Sequence, residues 1–237
     1  MKALVIIPAC NEEKNLAKLL DSLRKDCPEY DVVVVNDCSS DNTLKVCKKW
    51  GVHVIDLPVN LGIGGAVQSG YKYAQYKGYK VAVQLDGDGQ HDPKYIPMLF
   101  AELNKGANLC IGSRFITGEG YQSSRLRRFG IRYFSSLIYL FTRRIIKDPT
   151  SGFRACDRKA ICLFAADYPR DYPEPESIVT AARHKLEISE VPVIMNRREE
   201  GKSSITGGKS LYYMVKVSLA IIIASFNRYG NTEVNQP

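Results

Sequence analysis

Val81-Ala82-Val83-Gln84-Leu85-Asp86-Gly87-Asp88-Gly89-Gln90-His91-Asp92-Pro93 is an apolar run that ends in two carboxylates one residue apart. A strand closing in this way delivers both acids to one loop at the edge of a sheet. The two glycines let the backbone turn tightly there and approach a ligand closely. Pro93 suits the first turn of a following helix, where its missing N–H has no partner to lose. Clustered oxygen ligands at a strand end suit a hard divalent cation, Mg²⁺ or Mn²⁺, which usually brings phosphate oxygens with it. Alone, the stretch reads equally well as an acidic turn capping a helix, because Asp and Gly are ordinary turn residues.

The flanking chain narrows the choice. Residues 3–7 read as a buried strand, 12–25 as an amphipathic helix with Leu16, Leu19, Leu20 and Leu23 inward, and 31–36 as a second strand. The unbroken Val32 to Val35 run suits a strand covered on both faces, as in a parallel sheet. Ser40 or Asp41 is placed to cap a helix reaching about Trp50. A third strand over 52–57 leads to Asn60-Leu61-Gly62-Ile63-Gly64-Gly65, a glycine-rich loop opening a helix through about Tyr76. A helix over 93–104 and a strand over 108–112 continue the alternation. Strands alternating with helices over short connections predict an α/β layered sheet with its binding loops along the carboxyl edge.

The second half is less regular. The pattern predicts a helix over 127–146, a turn over 149–154, a helix over 157–166, a proline-rich turn over 169–175, a helix over 176–185 and a strand over 188–195. Pro192 places that last strand near a sheet edge. Residues 211–226 are apolar almost all round but contain Lys216, and they are too short for a clean membrane span. They read as a buried or dimer-forming helix, or as one lying on a membrane surface. The expected layout is a main domain over 1–208, an apolar helix over 209–228 and a polar tail over 229–237.

The chain has 237 residues, enough for a sizeable core, and a formal net charge of +8. The excess is concentrated: from Arg114 to Lys159 there are eleven Lys or Arg against Glu119, Asp148 and Asp157. Such a balance points to an anionic partner, either a sugar nucleotide or a membrane surface. No recognised nucleic-acid module accompanies the basic residues, so a nucleic-acid partner is not expected. Seven cysteines without Cys-x-x-Cys spacing argue against a zinc site or a secreted disulfide framework and fit reduced thiols in a cytosol. The apolar start is broken at once by Pro8 and by Asn11-Glu12-Glu13-Lys14, unlike a signal peptide.

Seven short motifs then fall in one order: Pro8-Ala9-Cys10-Asn11-Glu12, Asn36-Asp37-Cys38-Ser39-Ser40-Asp41, Asn60-Leu61-Gly62 with Gly64 and Gly65, Asp86-Gly87-Asp88-Gly89-Gln90-His91, Gly112-Ser113-Arg114-Phe115, Thr150-Ser151-Gly152-Phe153-Arg154 and Glu190-Val191-Pro192-Val193. Together they resemble a family 2 glycosyltransferase of the GT-A fold, similar to the dolichyl- and polyprenyl-phosphate sugar transferases, over about residues 3–204. The resemblance implies a mostly parallel central sheet flanked by helices. It places Pro8, Asn11, Glu12 and Asp37 around the nucleotide, Gly62 in a loop passing close to it, and Asp86 and Asp88 at a Mg²⁺ or Mn²⁺ ion with Gln90 nearby. Asp86 is shared between metal and ribose, and His91 is left as a structural residue. Arg114, Arg128, Arg132 and Arg198 are the candidates to hold phosphates, since an arginine fork binds phosphate bidentately. The base for a hydroxyl acceptor falls to Glu176 first and Glu174 second, both of which also suit a helix N-terminus. A phosphate acceptor, already anionic, would need little base catalysis.

Two departures from the resemblance matter. Ser203 lies in Gly201-Lys202-Ser203-Ser204, where the lysine is displaced from the usual Gly-x-Ser-Lys order, and no long membrane region follows the domain. The expectation is therefore a metal-dependent, inverting glycosyltransferase. It would move a sugar from a nucleotide-diphosphate donor to a lipid-linked or glycan acceptor at the cytoplasmic face of a membrane. Peripheral membrane contact and a homo-oligomer both fit that picture. A polyprenyl-phosphate sugar synthase is the alternative acceptor reading. A nucleotidyltransferase and a non-catalytic sugar-nucleotide-binding or assembly subunit are the readings from other classes.

Overall fold

The seven residues of Ala3–Ala9, the first strand (β1), are all buried. A strand without a solvent face needs cover on both sides, and the chain supplies it. The computed structural model describes residues 2–119, 125–196 and 207–226. After β1 come α1 (Glu13–Asp26), β2 (Asp31–Asp37), α2 (Thr43–Trp50), β3 (His53–Leu57), α3 (Gly62–Tyr76) and β4 (Val81–Gln84). A single 3-10 turn, Pro93–Tyr95, leads into α4 (Ile96–Asn104), followed by β5 (Leu109–Ser113) and α5 (Arg125–Thr142). The chain continues with β6 (Arg154–Asp157), α6 (Arg158–Ala166), α7 (Pro173–Arg183), β7 (Ile188–Pro192) and α8 (Gly207–Phe226).

The strands form one sheet in the order β3-β2-β1-β4-β6-β5-β7. Alternate residues of a strand point to opposite faces, and the two cores divide accordingly. Leu4, Ile6, Val33 and Val35 join α3, α5, α6, α7 and α8 on one face. Val5, Ile7 and Val34 join α1 and α4 on the other. The predicted α/β sheet is present and mostly parallel: β1 pairs in parallel with both β2 and β4, β2 with β3, and β5 with β7.

The departures lie in the second half. The predicted turn over 149–154 runs into a strand. Arg154–Asp157 inserts antiparallel between β4 and β5, pairing Gln84 with Arg154 and Leu109 with Cys156. Four residues are too few to show a period, so β6 left no readable pattern. The helix predicted over 127–146 stops at Thr142, where Arg143 turns to positive φ. The helix predicted over 176–185 begins earlier, at Pro173, a residue suited to a first helical position. Glu174 and Glu176 both belong to its first turn. β7 lies at the sheet edge, as Pro192 indicated, but ends there instead of reaching residue 195.

Candidate active site

The loops after β1, β2 and β4 meet at the carboxyl edge of the sheet, and side chains lace them together. Asn11 Oδ1 accepts the backbone N–H of Ser40 at 2.8 Å and of Asp41 at 3.3 Å. Thr43 Oγ1 accepts from Glu12 N at 2.9 Å, and Asp41 Oδ2 from Glu13 N at 3.1 Å. Asp41 also accepts from Thr43 N at 2.9 Å, so of the two expected caps it is Asp41 that bonds the start of α2. Gly87 closes the third side: a Cβ there would stand 3.2 Å from the Pro8 carbonyl oxygen and 3.4 Å from Glu12 Cγ. Pro8, Asn11, Glu12 and the Asp86–Asp88 loop therefore share one edge.

Asp37 joins them from the end of β2. It is buried, and its Oδ1 accepts from Leu61 N at 2.7 Å, one residue before Gly62. The structure thus gives Asp37 a local role in holding the loop before α3. Gly62 has φ +75°, a left-handed conformation that favours glycine. Gly64 abuts the Pro169 and Arg170 carbonyls so closely that a Cβ would stand 2.1 Å from the first, which forbids any side chain there.

The two carboxylates differ in their support. Asp88 is buried, and its Oδ1 accepts from Gln90 N at 3.0 Å. Asp86 is half-buried and held from three sides. Gln84 Nε2 donates to its Oδ1 at 3.2 Å, His91 Nε2 lies 3.8 Å from its Oδ2, and Gly152 leaves room for the carboxylate. A Cβ on Gly152 would stand 2.8 Å from Asp86 Oδ2. His91 Nδ1 accepts the Asp86 backbone N–H at 3.2 Å, which leaves the ring proton on Nε2, and the ring stacks on Phe153 at 5.0 Å. His91 is thus part of the frame.

Beneath this edge lies Arg154, 1 % exposed. It donates to the Ser151 and Pro149 carbonyls and to Ser177 Oγ at 2.6, 3.0 and 2.7 Å, all neutral acceptors. Its cation acts on Glu174 from below. Burial pushes the Glu174 carboxyl above the usual range, Arg154 and Arg114 oppose the shift, and the negative charge of Asp86 adds to it. Glu176 is also raised, by burial and by Asp167 and Asp171. The structure therefore sets Glu174 within electrostatic reach of Asp86 and sets Glu176 among other acids.

The expected phosphate-holding arginines separate. Arg114 is buried in a fork-to-fork pair with Asp148, Nε to Oδ2 and Nη2 to Oδ1, both at 2.7 Å, and Nη2 also reaches Thr150 Oγ1 at 2.9 Å. These bonds keep it charged against the cost of burial. Its fork is occupied by protein, which the sequence reading of Arg114 as a phosphate clamp did not anticipate. Arg128 and Arg132 instead line a cleft of about 570 Å³ beside α5, together with Lys147, Phe115, Ile131 and Ile145. Arg198 and Ser203 lie outside the described residues.

For a metal, Asp86 and Asp88 offer hard carboxylate oxygens one residue apart, a donor set suited to Mg²⁺ or Mn²⁺. Among the described residues no group of three or more His, Cys, Asp or Glu could hold an ion by itself. The pair thus fits an ion completed by phosphate oxygens and water, as nucleotide-dependent Mg²⁺ sites are.

Residues 4–164 match the family described as "Glycosyl transferase family 2". The chain belongs to that family. It is a glycosyltransferase with a GT-A-like nucleotide-sugar transferase fold. It is 34% identical over 217 residues to the undecaprenyl-phosphate mannosyltransferase of Micrococcus luteus, covering 88% of this chain and 89% of that one. It is 30% identical over 227 residues to the polyprenol monophosphomannose synthase of Mycolicibacterium smegmatis, covering 92% and 86%. Among solved structures, the glucosyl-3-phosphoglycerate synthase of Mycobacterium tuberculosis, in complex with Mn²⁺, UDP-glucose and phosphoglyceric acid, superposes with TM-score 0.73 over 94% of this chain and 79% of that one at 18% identity. That likeness supports the fold.

Several residues of this candidate site escaped the sequence reading. Asp148 and Lys147 sit in the basic stretch that was noted, but nothing local marks one as a partner and the other as lining. Gln84 reads as an odd polar residue in an apolar strand, which was a usable signal. Arg154 was quoted within a motif, yet its burial has no sequence mark.

Proposed function

We propose that the protein transfers a sugar from a nucleotide-diphosphate sugar to the phosphate of a polyprenyl-type lipid. The observation carrying this reading is the cleft beside α5. Arg128, Arg132 and Lys147 supply positive charge, and Phe115, Ile131 and Ile145 supply apolar wall. A lipid phosphate has that composition, an anionic head on an apolar chain; a glycan hydroxyl does not. Phe115 and Lys147 directly follow and precede Arg114 and Asp148 in the chain, and Arg114 feels the charge of Asp86 and Glu174. Cleft and carboxylates are thus joined through one buried ion pair. The names of the two relatives support the same acceptor class.

In this reading Pro8, Asn11, Glu12, Asp37 and Gly62 frame the nucleotide. Asp88 and Asp86, with Gln90 beside them, would hold Mg²⁺ or Mn²⁺. A divalent ion there neutralises charge accumulating on the departing diphosphate. The acceptor phosphate oxygen attacks the anomeric carbon, the bond from that carbon to the diphosphate oxygen breaks, and the nucleoside diphosphate leaves with the electron pair, inverting the configuration. Arg128 and Arg132 orient the acceptor phosphate. Because that oxygen is already anionic, no carboxylate need take a proton from it. Glu174 faces the donor side as a hydrogen-bonding group.

A second reading keeps the donor and replaces the acceptor with a hydroxyl of a lipid-linked or polysaccharide glycan. Glu174, with its raised carboxyl near Asp86, would then serve as base. The experiment offers polyprenyl phosphate and hydroxyl acceptors side by side, with a panel of nucleotide sugars and Mn²⁺ or Mg²⁺. A sugar–phosphate–lipid product, labile to mild acid, is expected. Transfer only to hydroxyl acceptors would overturn the lipid-phosphate reading.

A further inference from the structure

Arg154 carries a charge that its own bonds do not use. Its Nε, Nη1 and Nη2 donate to the Ser151 carbonyl, Ser177 Oγ and the Pro149 carbonyl, and no carboxylate among the described residues bonds it. Both oxygens of the neighbouring Asp148 are taken by Arg114. An arginine cannot shed its proton, so burying it is costly unless opposite charge lies close by. A neutral amide could tie two of the same acceptors without that cost.

The opposite charge is at the acidic edge. Arg154 stands directly across from Gln84 in the ladder of β6 and β4, and side chains directly across from one another share a face of the sheet. Two residues further along, the strands' extensions meet: a Cβ on Gly152 would stand 2.8 Å from Asp86 Oδ2, and Gln84 Nε2 donates to Asp86 Oδ1 at 3.2 Å. On the other side, Ser177 accepts from Arg154 and donates to the Glu174 carbonyl at 3.0 Å, in the first turn of α7. The buried Tyr168 hydroxyl feels both charges: burial raises it, Arg154 lowers it and Asp86 raises it again. Glu174 responds to the two in the same senses. Arg154 and Asp86 thus act on one small volume.

A fixed cation there sorts ligands by charge. A bare divalent ion is repelled. A nucleoside diphosphate is a polyanion that stays net negative with one divalent ion bound, so it is attracted with or without the metal. We propose that Arg154 is a positioning residue that makes the acidic edge a poor site for bare metal and a good one for metal carried by the nucleoside diphosphate. Binding is thereby ordered: the metal enters with the donor or after it, not before. The proposal rests on the assignment of the metal to Asp86 and Asp88. It accords with a site whose acids among the described residues do not complete an ion's shell by themselves.

The test is calorimetric titration of the full chain with Mn²⁺ alone, and with UDP and GDP each with and without Mn²⁺. The wild-type chain should bind one of the diphosphates without metal more tightly than it binds Mn²⁺ alone. Arg154→Gln should tighten binding of Mn²⁺ alone by about threefold or more and weaken binding of the Mn²⁺–diphosphate by about as much. Arg154→Lys keeps the charge but not the fork of bonds, and should stay within about twofold of wild type for both ligands. Shifts in opposite directions mark a charge effect, because a merely structural loss weakens both ligands and appears in Arg154→Lys as well. The proposal is overturned if the two ligands do not shift in opposite directions, if Arg154→Lys behaves as Arg154→Gln does, or if wild type binds Mn²⁺ alone at least as tightly as either diphosphate. That last measurement needs no variant to fold. Asp88→Asn separates the two readings. Mn²⁺ binding that survives it would sink the metal assignment and this proposal together, whereas any failure above with Mn²⁺ binding lost in Asp88→Asn sinks the role of Arg154 alone.

Discussion

Arg114, at the end of β5, and Asp148, in the segment before β6, form a two-bond ion pair at 2.7 Å that is almost fully buried. Glu190 of β7 backs it, accepting from Lys147 N at 2.8 Å and Asp148 N at 2.9 Å. Each partner is adjacent in sequence to a residue of the basic cleft, and Arg114 feels the charge of Asp86 and Glu174.

Removing one member leaves a buried charge without its counter-ion, at a cost of about 3–5 kcal/mol. Arg114→Ala and Asp148→Asn should each lower the unfolding free energy by that order in urea titrations. Arg114→Lys should recover little, because an ammonium cannot make the two parallel bonds. A loss below about 1 kcal/mol would show that water reaches the pair.

Asp88→Asn and Asp86→Asn should lower sugar transfer by at least about a hundredfold, the scale of lost charge stabilisation at a departing oxyanion. Both variants should keep the wild-type melting temperature without ligand. Both should lose the stabilisation given by nucleoside diphosphate with Mn²⁺ in a thermal-shift assay. Retained metal-dependent stabilisation would place the ion elsewhere.

Gly152→Ala separates position from presence. The new Cβ would press on the Asp86 carboxylate, with both oxygens within 3.1 Å. Transfer should fall by about tenfold or more, as small displacements in a reacting geometry do, with the donor KM rising. Unchanged kinetics would mean that the exact seat of Asp86 is unimportant.

Glu174 gives a pH test with two readouts. Its carboxyl is raised mainly by burial, so the folded state holds the proton more tightly than the unfolded chain. The associated stability is full below the usual carboxylate range and is lost as pH rises through the folded value. Glu174→Gln should therefore raise the melting temperature at neutral pH. With a phosphate acceptor, kcat should fall by less than about tenfold. A general base would cost about a hundredfold to ten-thousandfold and would remove the acid limb of the pH–rate profile.

The first half of the fold was legible because β1, β4, β5 and most of β2 are buried on both faces and its helices are amphipathic, so pattern and burial largely agree from Ala3 to Ser113. The loops at the carboxyl edge followed from that alternation. The second half hid its strand β6, four residues long, and hid the start of α7 behind prolines that read equally as a turn. At the candidate site, the spacing of Asp86 and Asp88 suggested a metal-binding pair, and only the neighbouring motifs favoured that reading over a helix-capping turn. The tasks of Arg114 and Glu176 did not, because each depends on which distant residue packs beside it: Asp148 satisfies the first, and Asp167 and Asp171 surround the second. Gln84, wholly buried, was the one polar misfit in its strand that pointed to a buried contact.

The late strand β6 also bears on how the chain reaches its structure. β4 and β5 are made first, yet neither pairs with the other, because β6 lies between them. During synthesis both therefore present bare strand edges until Arg154–Asp157 emerges, and unpaired edges invite pairing with other chains. A nascent chain that stops short of residue 157 is therefore expected to be the most prone to aggregate, and only with that strand in place does β5 join strands β1 to β4 in one sheet.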